Sequence, residues 1–208
     1  MDDRARGLQF HVEYPERALN RVSTLLRLIW VIPIAIVLGA VSGGSWQWSS
    51  GGEQTAVAAG GLLFFAPLLL IVFRQKYPRW WFDWNLELLR FTNRVAVYLC
   101  LMDDRYPSTD EQQSVALDFP YPDVPRDLNR WLPIVKWLLA IPHYIALFFL
   151  DILLVIAVIV AWFAILFTGK YPRDLFSFAE GVLRWNNRVV AYALILVTDD
   201  YPPFKLSA

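Results

Sequence analysis

The sequence predicts an α-helical integral membrane protein of four short spans arranged as two hairpins, with interfacial amphipathic helices and a small cytoplasmic β-sheet. Three observations carry that prediction. Hydrophobic residues fill 57% of the 208 positions and charged ones 18%, against about 25% charged in an average soluble domain. The apolar residues fall in blocks: Gly60–Phe73, Trp137–Leu150 and Ile152–Gly169 contain no Asp, Glu, Lys or Arg. A soluble domain of this length could bury one such helix, but hardly four. The third observation is that the chain repeats itself in order.

Tyr14-Pro15 followed by Leu19-Asn20-Arg21 returns as Tyr121-Pro122 followed by Leu128-Asn129-Arg130. Pro33 and Pro142 stand at the same offset from those triplets, and Lys76-Tyr77-Pro78-Arg79 returns as Lys170-Tyr171-Pro172-Arg173. Phe82, Arg90, Asn93, Arg94, Val95 and Tyr98 then match Phe176, Arg184, Asn187, Arg188, Val189 and Tyr192. Each copy closes on an acidic Tyr-Pro, Asp103-Asp104-Arg105-Tyr106-Pro107 and Asp199-Asp200-Tyr201-Pro202. Residues 1–107 and 108–208 therefore read as two copies of strand, span hairpin, interfacial helix and strand.

The elements follow in that order. Leu8–Tyr14 and Val115–Phe119 are short, apolar and bounded by turn residues, so they read as strands. The first hairpin has a Gly/Ser-rich connector, Ser42–Thr55, without Lys or Arg and with Glu53. Trp46 and Trp48 would anchor it at the outer interface. The second hairpin lacks the connector and is read as turning near Asp151. The alternative is one long helix kinked at Pro142, which at about 1.5 Å per residue would outrun a hydrocarbon core of roughly 30 Å.

Trp80–Arg94 reads as an interfacial helix, with Asp83, Glu87, Arg90 and Arg94 on one stripe and Trp81, Trp84, Leu88 and Phe91 opposite. It would lie among lipid headgroups or pack on the protein's own spans. Glu180 and Arg184 form a favourable i,i+4 pair in the second copy. Val95–Met102 and Val189–Thr198 read as extended and are paired with the first two strands in a small sheet, helix continuation being the competing reading. Charge strewn through Met1–Arg27 argues against a cleaved signal peptide. Arg17, Arg21, Arg74, Lys76, Arg79, Arg126, Arg130, Lys170 and Arg173 flank the spans, placing both termini in the cytoplasm of a multi-pass inner-membrane protein.

Leu139-Ala140-Ile141-Pro142-His143-Tyr144, the run Ala161–Arg173, Arg184-Trp185-Asn186-Asn187-Arg188-Val189 and Asp200-Tyr201-Pro202-Pro203-Phe204 resemble the bacterial domain of unknown function 4389 family. The likeness is most specific in the second half. The first half departs, with Ile34 where His143 stands and no Phe-Thr-Gly before Lys76. The resemblance implies a membrane location and supplies no catalytic residues.

Several classes of chemistry have no support. Net charge is zero, which gives no field for nucleic acid. A single cysteine, Cys100, excludes an intrachain disulfide and a thiolate metal cluster. There is no phosphate loop, HExxH or nucleophile elbow. No catalytic residue, metal site or cofactor is read from the sequence.

Three polar features remain as candidates. His143, after Pro142 in an apolar block, could ligate a haem or chlorin, bind a quinone or pass protons. The structural reading is a neutral imidazole hydrogen-bonded to a neighbour. His11 is the only other histidine and lies in a different segment, so a bis-histidine haem within the spans is excluded. The repeated arginines Arg90, Arg94, Arg184 and Arg188 suit anionic-lipid phosphate. Alternatively they pair with Asp103, Asp104, Asp199 and Asp200 as a latch. Lys136 reads as a residue snorkelling to the cytoplasmic interface.

The function this favours is a non-enzymatic accessory or scaffolding subunit of a larger inner-membrane complex, with lipids and other membrane subunits as partners. A lipid- or small-hydrophobe-handling protein is the alternative, and a membrane enzyme acting through His143 comes third.

Overall fold

The computed structural model describes residues 7–42, 67–109, 111 and 113–207. Trp46, Trp48, Glu53 and residues 60–66 of the second apolar block lie outside the described residues. The chain is mostly helical. Strand β1 (Gln9–Val12) precedes α1 (Arg21–Ser42), and a π-helical turn at Leu70–Arg74 leads to α2 (Arg79–Leu99). Strand β2 (Val115–Asp118) and a single helical turn, Val124–Asp127, lead to α3 (Leu132–Leu139) and α4 (Ile141–Thr168). Helix α5 (Arg173–Val190) ends in a second π-helical turn, Ala191–Ile195.

The repeated motifs act as helix punctuation. Asn20 caps α1, its Oδ1 accepting the amides of Val22 and Ser23 at 3.0 and 3.2 Å, and Asn129 Oδ1 accepts the Trp131 amide at 2.9 Å. Pro78 and Pro172, both extended, open α2 and α5. Gly169 ends α4 at φ +75°, a left-handed cap that suits glycine. Pro33 lies inside α1, which bends by 54° between Arg21–Arg27 and Ile29–Gly39. Pro142 instead sits in the first turn of α4, where its missing N–H costs little.

Three layers result. Strands β1 and β2 form an antiparallel ribbon with Phe10 opposite Leu117. Beneath it α2 and α5 run antiparallel. Tyr77, Phe82 and Leu86 at the start of α2 pack with Ala191, Ile195 and Leu196 after α5. Tyr171, Phe176 and Ala179 at the other end join Val97, Leu101 and Met102. The third layer is α1 and α4. Phe91, Val95 and Tyr98 of α2 meet Val31 and Ile34 of α1, and Trp185, Val189 and Tyr192 meet Ala140 and Leu147 in the other half.

Two expectations are corrected here. The hairpin turn at Asp151 does not exist: α4 runs through it unbroken, and Leu132–Thr168 is one helix of 37 residues, long and apolar enough to cross a bilayer. Pro133 and Pro142 lie only in the first turns of α3 and α4, no proline or glycine follows before Gly169, and Asn186 Nδ2 donates to Asp151 Oδ1 at 3.0 Å, so the lone carboxylate is satisfied within a continuous α4. The bent α1 is a second candidate span if taken as one unit.

Val95–Met102 and Val189–Thr198 are not strands either. Both continue as helix and end on left-handed residues, Leu101 and Leu196 at φ +63° and +64°. Met102 N–H then closes onto Val97 O at 3.0 Å and Val197 N–H onto Ala191 O at 3.1 Å. The longer second closure takes up one extra residue as the π turn. The sheet is thus built from β1 and β2 alone among the described residues.

Candidate functional site

The polar side chains inside the molecule gather along the α2–α5 layer, mostly in matched pairs. At the centre Asn93 and Asn187 exchange hydrogen bonds, each Nδ2 donating to the other's Oδ1 at 2.7 Å. Each Nδ2 also donates to the carbonyl four residues back, Leu89 or Leu183, at 2.8 Å. Both residues are buried. On the ribbon side Arg90 Nε donates to Leu117 O and Arg184 Nε to Phe10 O, at 2.9 and 3.1 Å, so the two guanidiniums hold the two members of one cross-strand pair. Glu87 and Asp118 pair with Arg90, and Glu180 with Arg184.

A second matched pair was missed in the sequence. Arg27 and Lys136 stand at one offset from Asn20 and Asn129, and both are almost wholly buried. Arg27 Nη1 donates to Tyr98 O and Asp103 O, over the Tyr98 ring. Lys136 Nζ donates to Thr198 O at 2.6 Å, pairs with Asp199 at 2.7 Å and sits over the Tyr192 ring. Lys136 is therefore no snorkelling residue. Its ammonium is consumed inside, because the acidic turn folds back onto it.

The amides of Asn20 and Asn129 close the same turns, donating to Asp104 Oδ2 and Asp199 Oδ2. Burial works against the Asp103 carboxylate, but the Ser114 hydroxyl, the Arg105 amide and the Arg105 guanidinium more than offset it and hold its pKa below the usual range.

The expected latch between the repeated arginines and these aspartates is not the one formed. Arg94 Nη1 donates to Ser108 O, and Arg188 donates to Lys205 O and Ser207 O. Arg90 and Arg184 hold the ribbon instead. Asp104 pairs with Arg17 and Asp199 with Lys136. The arginines and aspartates thus sit in different interactions, since an antiparallel helix pair carries the two kinds of residue to different places.

His143 is fully buried in α4. Trp185 Nε1 donates to its Nδ1 at 3.1 Å, Phe204 stacks on the ring at 4.0 Å, and the Tyr201 ring lies 4.7 Å away. A neutral imidazole accepting at Nδ1 carries its proton on Nε2, so Nε2 is a donor. It has no partner among the described residues. A haem iron or chlorin magnesium at Nε2 would first require Trp185 to release Nδ1. In the first half Ile34 and Phe91 occupy the corresponding places, so the fold closes there without any polar pair. Among the described residues no three His, Cys, Asp or Glu side chains converge as a metal site.

Residues 132–205 match the model of a family described as Domain of unknown function (DUF4389). The second half of the chain resembles that domain family, as its sequence motifs do. Neither the curated proteins nor the solved structures gave a match.

Proposed function

We propose that this chain is a non-enzymatic accessory or scaffolding subunit of a larger complex in the bacterial inner membrane, made by duplication of one unit. The observation that carries the reading is the two-faced build. Large apolar side chains of α1 and α4, among them Trp30, Ile36, Phe148, Leu153, Ile156 and Phe163, are at least half exposed, while the opposite layer is a polar ribbon. Such an apolar face marks a membrane or protein interaction surface. The interior polar groups mainly serve the fold rather than converge on a reactive centre.

Matched contacts support the duplication. Arg184 donates to both Phe10 O and Leu206 O, so the two terminal segments lie together, and the basic flanks favour the cytoplasm for both. Purification in mild detergent tests the role: protein partners at fixed stoichiometry are expected, and a chain that always purifies alone overturns it. A lipid- or small-hydrophobe-handling role is the second reading, favoured by a groove of about 660 Å³ lined by Trp30, Pro33, Tyr98 and Tyr106. Co-purifying lipid without protein would select it.

A further inference from the structure

We infer that the helix from Leu132 to Thr168 lies along the membrane in one leaflet, with both ends on the cytoplasmic side, rather than crossing the bilayer. The inference rests on the membrane placement proposed above and on nothing about the partner complex.

The layer order carries it. Glu180 and Arg184 of α5 bind β1 on one side of the helix, and Trp185 and Asn186 bind α4 on the other. Helix α4 therefore runs alongside α5, with the ribbon beyond. If α4 stood along the membrane normal, α5, α2 and the ribbon would stand at the same depth. That would put Arg90, Arg94, Arg184 and Arg188 near the hydrocarbon centre, at about 2.5–3.5 kcal/mol or more for each charged residue. It would also put the ribbon's unpaired edges where no water can satisfy them. With α4 in the plane, the same body places its apolar layer in lipid and its ribbon in water.

Two further observations agree. Arg126 and Arg130 precede the helix while Lys170 and Arg173 follow it, so both ends carry the cytoplasmic signature, which a single crossing cannot satisfy. At 37 residues the helix is about 55 Å long, nearly twice a hydrocarbon core of roughly 30 Å. Asp151 then faces Asn186 and the protein rather than lipid, which explains how a carboxylate sits midway along this surface.

Single-cysteine labelling of the full chain in sealed membrane vesicles of both orientations tests the inference. Burial, and then the Asp151 charge, push the native Cys100 thiol up to about 12, so it stays unlabelled at neutral pH. Arg130→Cys and Lys170→Cys are expected to react with an impermeant maleimide from the cytoplasmic side alone, and Ile156→Cys from neither side. Labelling of positions 130 and 170 from opposite sides overturns the inference, as does labelling of position 156 from the outer side. Should either end variant fail to accumulate, Arg126→Cys and Arg173→Cys report the same two ends. Release of the wild-type chain by alkaline carbonate before any labelling would instead overturn the membrane reading itself.

Discussion

Replacing Asn187 by alanine probes the joint between the two halves most directly. The substitution removes both amide–amide hydrogen bonds and the bond to Leu183 O, and leaves Asn93 Oδ1 without a donor in a buried place. An orphaned buried acceptor costs about 1–3 kcal/mol, and with the lost bonds the total comes to about 2–4 kcal/mol. For a chain of this length that lowers the unfolding midpoint by about 4–16 °C. Asn93→Ala is equivalent by geometry and costs about the same. The double variant leaves no orphan, so the two losses are not additive, and a coupling of about 1–3 kcal/mol is expected. Tryptophan fluorescence during unfolding in mild detergent measures all three variants against wild type. Additive losses, or single variants within about 0.5 kcal/mol of wild type, would refute the reciprocal pair as the link between α2 and α5.

His143→Asn should leave membrane assembly intact at a cost of about 1–2 kcal/mol, and purified wild type should show no visible absorbance beyond the tryptophan band. An absorbance lost on substitution would establish a bound chromophore. Lys136→Met leaves Asp199 beside a buried apolar chain and should cost about 3 kcal/mol, part of which Asp199→Asn in the same chain restores; equal stability of all three proteins would contradict the clamp. A methyl group at Gly181 would stand 2.8 Å from Leu206 Cβ, so Gly181→Ala should loosen residues 203–207 and raise their hydrogen exchange while helix content is kept. Asp103 has a folded pKa below its unfolded value of about 3.9, so its contribution is complete above that value and is lost as pH falls through the folded pKa. The stability gap between wild type and Asp103→Asn should therefore shrink on acidification below about pH 4, and a gap that widens there would contradict the assignment.

The sequence made the equivalences legible but not the meetings. Matching Leu-Asn-Arg, Lys-Tyr-Pro-Arg and Arg-Val signatures found the residues that cap, open and clamp the helices, because a repeat preserves local chemistry. It could not tell that Asn93 would face Asn187, or that Tyr14 would bond Tyr171 O and Tyr121 bond Tyr77 O across the halves, since those contacts depend on how the copies dock. Arg27 and Lys136 escaped because matching by residue identity skips a pair alike only in charge; their common offset from the asparagine caps was the available signal. The hairpin at Asp151 rests on length alone: the segment is too long for one perpendicular crossing, but it carries no glycine or proline near Asp151 to turn the chain, and the helix continues. The extended reading of Val95–Met102 failed on a run too short for periodicity to decide, where packing on α1 settled the helix.

With α4 in one leaflet, as proposed, its exposed face lies in lipid along its whole length while the ribbon faces water. A depth scan by spin labels at successive exposed positions from Ile145 to Phe167, comparing collisions with oxygen and with a water-soluble nickel complex, measures it most directly. A depth that oscillates with the helical period of about 3.6 residues around a nearly constant mean is the expected result. A depth that rises steadily to a maximum near the middle and falls again toward the opposite surface would contradict it.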